Sequence, residues 1–299
     1  MKASAVLLPI AATVLAMAAF QSGASVAKGL FPAIGPQGAA SLRLLFGATI
    51  VMAIARPWKA WPPRAAWAPI LGLGVGMAAA ILFFYMALSR LPQGVCIALQ
   101  FLGPLAVAIG GSRRMRDLAW AVIAAGGVWL LLSGRLGSVI DPIGVVFALC
   151  AAVGWGGYIV LGRRVSKLGA GSAAAPLAMT IAAAIMLPVG LAHDGPALFA
   201  PANLPLALAV GVLACAIPFP LELFALSRLP ARTFAVLMSL EPAFGALSGW
   251  TLLGERLTAV QVAGVAAVVT AAVGSTWTSG ATRRGSLAAE ATLTLPDKD

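Results

Sequence analysis

The chain is built mainly from apolar runs of about 17 to 22 residues, which are separated by short segments rich in charge, proline or glycine. An α-helix rises about 1.5 Å per residue, so about 20 apolar residues span the roughly 30 Å hydrocarbon core of a bilayer. Only 10% of the residues are charged and 61% are hydrophobic, whereas soluble domains carry about 25% charged residues. The runs therefore predict an all-α polytopic membrane protein.

Ten such runs are present, and each predicts one transmembrane helix. Their approximate bounds are 5–29, 37–55, 67–88, 94–111, 118–134, 142–162, 173–192, 205–226, 233–253 and 259–278. The first run follows Lys2 and superficially resembles a secretory signal peptide. Because it continues as far as Leu30, which is long enough to cross a bilayer, we expect it to be retained as the first transmembrane helix.

Basic residues are distributed unequally between the two sides of this arrangement. With the N-terminus in the cytoplasm, the opposite side holds three basic residues, Arg90, Arg135 and Arg256. The cytoplasmic segments then hold fifteen: Lys2, Arg56, Lys59, Arg64, Arg113, Arg114, Arg116, Arg163, Arg164, Lys167, Arg228, Arg232, Arg283, Arg284 and Lys298. The positive-inside rule therefore predicts that both termini are cytoplasmic. The net charge of +11 is scattered between apolar runs and does not predict nucleic-acid binding.

One stretch occurs twice. Residues 87–111 and 225–249 agree at eleven of twenty-five positions at a constant offset of 138 residues. This agreement predicts a duplication, with a first five-helix repeat at 1–134, a connection at 135–141, a second repeat at 142–278 and a disordered cytoplasmic tail at 279–299. Because five is odd, the two copies must cross the membrane in opposite directions. Inverted repeats are typical of secondary transporters, whose substrate site lies near the midplane.

Four charged residues fall inside or near the apolar runs, where a charge costs roughly 3 kcal/mol or more. Glu241 stands immediately before Pro242, where the repeat has Gly103, and a carboxyl group there can bind and release a proton. The alternative is a structural carboxylate that pairs with Arg43. Glu222 is a second candidate for proton coupling, although its position near a helix end also suits a structural role. Lys28 and Arg43 either reach the outer interface or line the outer mouth and attract a carboxylate.

Neutral polar and aromatic side chains within the runs suit a site for a small zwitterion, because amide and hydroxyl groups orient it and aromatic faces bound it. The candidates are Gln21, Ser22, Ser25, Tyr85, Gln100, Trp155, Tyr158 and Ser239. Each of them can equally be an interhelical hydrogen bond or a packing ring.

Features of enzymes are sparse. His193 is the only histidine, and it lies in a predicted outer loop without a partner motif. We find no phosphate-binding loop and no nucleophile motif, which disfavours an enzyme and an ATP-driven pump. Cys96, Cys150 and Cys215 have no disulfide or metal-ligand spacing and are predicted to pack, so neither a metal nor a cofactor is expected.

Several stretches resemble one family. They are FQSGASVAKGLFP at 20–32, SRLPARTF at 227–234, LMSLEP at 237–242 and GERLT at 254–258. Over about residues 10–278 the chain resembles the EamA family of the drug/metabolite transporter superfamily. The resemblance implies ten transmembrane helices in two inverted five-helix repeats. It also implies a bacterial inner-membrane location and export of small neutral amino acids of the threonine and homoserine type in exchange for protons.

The chain departs from the family pattern at one position of the fourth helix, where the resemblance leads us to expect ALEF. This sequence has ALQF, with Gln100, which removes a titratable group from the site region. Other functions stay open, namely export of an aromatic amino acid, a purine or a drug. A membrane-embedded enzyme, a flippase subunit and a nutrient sensor are less favoured.

Overall fold

The computed structural model describes residues 3–110, 115–132 and 141–275. Within these ranges the regular structure is helical, and no β-strand is present. The all-α class predicted from the apolar runs is therefore confirmed. Outside the described residues lie the tail at 279–299, most of the connection at 135–141, and the charges Lys2, Arg113, Arg114, Arg135, Arg283, Arg284 and Lys298.

Thirteen helices follow one another in the described ranges. They are α1 (Ala3–Lys28), α2 (Phe31–Ala55), α3 (Trp67–Leu88), α4 (Gln93–Gln100), α5 (Leu102–Gly110), α6 (Met115–Leu132), α7 (Pro142–Lys167), α8 (Gly171–Asp194), α9 (Leu204–Gly211), α10 (Pro218–Arg228), α11 (Ala231–Met238), α12 (Glu241–Leu253) and α13 (Ala259–Ser275). A π-helical turn, Val212–Ala216, joins α9 to α10. Short 3-10 turns lie at Pro57–Lys59, Arg64–Ala66 and Gly195–Phe199.

Eight helical segments in the described ranges are long and apolar enough to cross a membrane. They are Leu7–Lys28, Phe31–Ala55, Arg64–Leu88, Gln93–Gly110, Pro142–Lys167, Ala173–Phe199, Leu204–Arg228 and Thr233–Leu253. Two shorter apolar helices, Leu118–Leu131 and Ala259–Ser275, coincide with the fifth and tenth predicted runs. The chain is therefore a multi-pass helical membrane protein.

Two of the predicted runs are interrupted at equivalent points of the repeat. The fourth run breaks at Phe101, between α4 and α5, and the ninth breaks at Ser239 and Leu240, between α11 and α12. Each break lies shortly before a proline, Pro104 or Pro242. A proline has no N–H with which to bond the carbonyl four residues earlier, and its ring crowds that carbonyl. The interruptions therefore have a local cause that is present in both copies.

Helix bounds follow the same offset of about 138 residues, which maps α1 onto α7, α2 onto α8 and α3 onto the α9–α10 segment. The fourth and ninth runs, which are equivalent in the repeat, also pack on each other. Gly94 of α4 lies against Ala246 of α12, and Ile97 lies against Gly245, so these helices run antiparallel.

The helices α2 and α8 run antiparallel as well, because Gly38 lies near Asp194 while Gly47 lies near Met179. The Ser41 hydroxyl joins these two helices by donating to the Met186 carbonyl at 2.6 Å. The helices α6 and α13 also run antiparallel, since Trp120 lies against Gly274 and Gly127 lies against Ala267.

Candidate functional site

A cavity of about 600 Å³ lies between helices of both halves of the chain. Its walls come from α1, α4, α5, α7, α10, α11, α12 and α13. Arg163, which is exposed, lines the cavity at the end of α7, and Glu241 lines it at the start of α12. The proline-associated breaks contribute directly, because Gln100, Phe101, Met238 and Ser239 all line the cavity.

Six residues that the sequence singled out line this cavity together: Gln100, Trp155, Tyr158, Glu222, Ser239 and Glu241. The rings of Trp155 and Tyr158 meet edge to face, with their centroids 5.6 Å apart. The Gln100 side chain is 6% exposed, and its Oε1 atom is buried without a hydrogen-bond partner. An unpaired buried acceptor at a cavity wall is suited to receive a donor from a ligand.

The two acidic side chains of the cavity have different surroundings. Glu241 begins α12, and the N-terminal end of the helix dipole favours a negative charge there. Its Oε1 atom accepts a hydrogen bond from Gln21 Nε2 at 3.0 Å. Glu222 projects from α10, and in the described part of the structure its carboxylate has no hydrogen bond or ion pair. The cavity therefore presents one anchored and one unanchored acid.

Beyond Glu241 a buried polar cluster connects α1, α4 and α12. The Ser25 hydroxyl donates to Gln93 Oε1 at 2.7 Å and lies 2.7 Å from the Ser248 hydroxyl. Gln93 Nε2 donates to the Gln21 carbonyl at 2.9 Å. Since Gln21 also bonds Glu241, hydrogen bonds run without a break from the cavity into the cluster.

Glu255 closes this polar cluster at its far side. One carboxylate oxygen accepts from Lys28 Nζ at 2.7 Å, and the other accepts from the backbone N–H of Gln93 at 2.7 Å. The Lys28 and Glu255 side chains are 25% and 15% exposed. Lys28, Gln93 and Glu255 lie at the ends of α1, α4 and α12, so the cluster ties three helices together at one end.

The sequence predicted that Arg43 reaches the outer interface or lines the outer mouth. The structure shows neither, because Arg43 is buried with 2% of its surface exposed. The reason is its position near the middle of α2, which is enclosed by its neighbours. Its guanidinium carbon lies 4.8 Å from the Phe20 ring centroid and 5.5 Å from that of Tyr85. Tyr85 is fully buried beside it and does not line the cavity.

Other predicted residues lie outside the cavity. Ser22 does not line it, and Ser25 belongs to the polar cluster. His193 pairs with Asp194 at 3.0 Å at the end of α8. The three cysteines are unpaired, and the described residues contain no group of three His, Cys, Asp or Glu side chains that could hold a metal.

Sequence reasoning missed Gln93, Ser248 and Glu255. Gln93 lies in the duplicated stretch at 87–111, directly after SRLP, and Glu255 lies within GERLT, so both lie in stretches that the sequence marks as distinctive. What was missing was the contact between α1, α4 and α12, which joins residues more than sixty positions apart in the chain.

These features define a multi-pass helical membrane protein with a largely apolar cavity between its helices that carries two carboxylates. Residues 142–277 match the model of the EamA-like transporter family. The chain is 43% identical to the threonine/homoserine exporter RhtA of Salmonella typhimurium, over 91% of this chain and 92% of that protein. It is 42% identical to RhtA of Escherichia coli over the same shares. The chain belongs to the EamA-like transporter family.

Two further likenesses are more distant. An uncharacterized transporter of Bacillus subtilis, YwfM, is 28% identical over 52% of this chain and 53% of its own length. A solved crystal structure superposes with a TM-score of 0.60 at 21% identity, over 93% of this chain and 98% of that chain. The latter likeness concerns the fold alone.

Proposed function

We propose that this protein exports small neutral amino acids of the threonine and homoserine type, by antiport with protons and alternating access. The observation that carries the proposal is the 42–43% identity to threonine/homoserine exporters over nine-tenths of the chain. The cavity supports it, because two carboxylates, amide and hydroxyl groups and two aromatic rings suit a small zwitterion.

The proposed architecture has ten transmembrane helices in two inverted five-helix repeats, at 1–134 and 142–278. It is supported by antiparallel packing between equivalent runs of the two repeats: α4 of the fourth run lies on α12 of the ninth, α2 lies on α8, and α6 lies on α13. A two-fold relation of this kind places a shared cavity between the repeats. The location is the bacterial inner membrane with both termini cytoplasmic, a proposal that rests on the fifteen-to-three division of basic residues.

Glu241 is proposed as the proton-coupling group, with Glu222 as the second acid of the cavity. Glu241 is suited to this role because it both faces the cavity and bonds Gln21, which belongs to the polar cluster. A change of charge at Glu241 would therefore act on the helices that the cluster holds together. Gln100, Ser239, Trp155 and Tyr158 are proposed to contact the substrate, since all four line the same cavity.

The polar cluster is proposed as the outer gate. Its residues lie at the ends of α1, α4 and α12 that the predicted topology places outside, and its buried hydrogen bonds hold these helices together. The exposed cavity residue Arg163 lies at the end of α7 that this topology places inside. The described arrangement then corresponds to an inward-facing state.

Efflux from an exporter-deficient bacterial strain tests the proposed function. Expression of the protein should raise resistance to threonine and homoserine and should speed efflux of the radiolabelled amino acids. Efflux that stays at the level of the empty strain, with the protein present in the membrane, would reject this substrate class. A panel containing aromatic amino acids and purines, assayed in parallel, identifies the alternative substrate in that event.

A further inference from the structure

Arg43 is a buried cation whose direct contacts are with Tyr85, Phe20 and Cys215, none of which is an acidic residue. Its NH1 atom lies 3.4 Å from the Tyr85 hydroxyl, which is a long hydrogen bond, and two aromatic rings cover the guanidinium. The Nε atom is buried and has no hydrogen-bond partner. None of the ion pairs in the described ranges includes Arg43.

A guanidinium in this position is costly unless an anion reaches it. Glu241 is close enough to Arg43 to interact with it electrostatically but forms no direct ion pair with it. Burial of a charge without a direct ion pair carries a large desolvation cost, and charged groups at membrane depth usually face a partner or a substrate pathway. Cation–π contacts with Phe20 and Tyr85 offset only part of this cost. The planar fork of an arginine fits a carboxylate with two parallel hydrogen bonds.

The guanidinium of Arg43 and the cavity share one aromatic neighbour. Phe20 lies over Arg43 and also lines the cavity wall. The next residue, Gln21, bonds Glu241, so the ring belongs to the helix segment that holds the coupling acid. Phe20 is only half-buried, so its side chain is the group that has to move for a ligand in the cavity to reach the guanidinium.

We propose that Arg43 binds the α-carboxylate of the transported amino acid, and that Phe20 covers this subsite when it is empty. The inference rests on the proposed function and adds the point at which the substrate is recognised. The acids Glu222 and Glu241 lie in the same cavity and are complementary to the substrate ammonium group. The protein then selects ligands that carry both charges, and amides, esters and amines that lack the carboxylate bind poorly.

The test compares threonine with threonine amide, which keeps the ammonium and the side chain but has no carboxylate. Transport of both compounds is measured in proteoliposomes for the wild-type protein, Arg43→Gln, Arg43→Lys and the control Arg64→Gln. Arg64 is exposed and lies in a connecting turn, so its variant should behave as the wild type. Thermal unfolding of each variant in detergent confirms that it is folded.

We expect the wild type to prefer threonine strongly. Arg43→Gln should raise the KM for threonine on the order of 10- to 100-fold, since hydrogen bonds to a charged group are lost, and should leave the KM for the amide unchanged. Arg43→Lys keeps the charge without the fork, so it should retain part of the preference.

Two results would overturn the inference. One is a folded Arg43→Gln protein that still prefers threonine as strongly as the wild type does. The other is an equal loss of transport for threonine and its amide, which is what a merely structural role would give. If Arg43→Gln does not fold, the Arg43→Lys variant provides the test. An unchanged preference of that variant for threonine over threonine amide would exclude recognition of the carboxylate by the guanidinium group. A wild-type protein that transports no threonine at all would instead reject the proposed function, and the inference with it.

Discussion

Replacement of Glu255 by glutamine should open the outer side of the protein. The Glu255 carboxylate accepts from Lys28 Nζ and from the Gln93 backbone N–H, each at 2.7 Å. Glutamine has nearly the same shape but only one acceptor oxygen, so it can keep one of these contacts and must turn its NH₂ group toward the other donor.

The size of the effect follows from these two contacts. A hydrogen bond to a charged group contributes about 1.5–3 kcal/mol, and the partial exposure of both side chains places the loss toward the lower end, at about 2 kcal/mol. If the contacts exist only in the state that is closed to the outside, this loss changes the ratio of open to closed molecules about 30-fold.

The assay measures access from outside the cell. Ser248→Cys, in a protein whose three native cysteines are replaced by alanine, places a thiol in the polar cluster, where Ser248 is 7% exposed. A membrane-impermeant maleimide is added to whole cells, and the labelling rate is compared with and without Glu255→Gln. We expect a rate increase of about 30-fold, because only open molecules react.

Asp141→Asn is the matched control for this experiment. It removes an ion pair with Arg90 at 2.7 Å, in which both side chains are substantially exposed and which does not belong to the polar cluster. Exposed pairs contribute little to conformational equilibria, so labelling should stay near the rate of the Ser248→Cys parent. Equal labelling rates with and without Glu255→Gln would refute the reasoning that makes the polar cluster a gate.

Two further predictions concern packing and the link between the cavity and the cluster. Gly103→Ala should destabilise the protein by about 1–3 kcal/mol, because the added methyl group would clash with the backbone carbonyl of Ala152. Thermal unfolding measures the loss. The control is Gly126→Ala, because a methyl group at Gly126 has no neighbouring atom within 4 Å. Stability unchanged in both variants would contradict the close approach of α5 to α7. Gln21→Leu should cost about 1–3 kcal/mol, because Glu241 loses its amide donor in a buried site. The control is Ser22→Ala, since the described structure shows no side-chain hydrogen bond for Ser22; equal stability of the two variants would contradict the importance of the Gln21–Glu241 bond.

Local sequence signals account for much of the fold. Apolar runs predict where the helices lie because the bilayer requires helices of a fixed minimum length. The prolines at 104 and 242 account for the interrupted helices, although the break positions could not be read from hydropathy alone. The same prolines help to bring Gln100 and Ser239 to the cavity wall.

The burial of Arg43 and the pairing of the missed residue Glu255 depend on contacts that the sequence does not encode locally. The depth of Arg43 depends on which neighbours enclose α2, and a charge near a predicted helix end is ordinarily expected to reach the interface. The pairing of Glu255 with Lys28 and Gln93 requires α1, α4 and α12 to meet, which no single segment predicts. Tertiary packing therefore determines which of the candidate polar groups share one site.

Proton coupling through Glu241 is the central claim, and transport into vesicles with an acidic interior tests it most directly. The wild-type protein should accumulate radiolabelled threonine above its external concentration, because protons leave as the amino acid enters. Glu241→Gln should not accumulate threonine, but should still exchange internal for external threonine. If the glutamine variant concentrates threonine as well as the wild type does, or if the wild type does not respond to the gradient, the claim is contradicted.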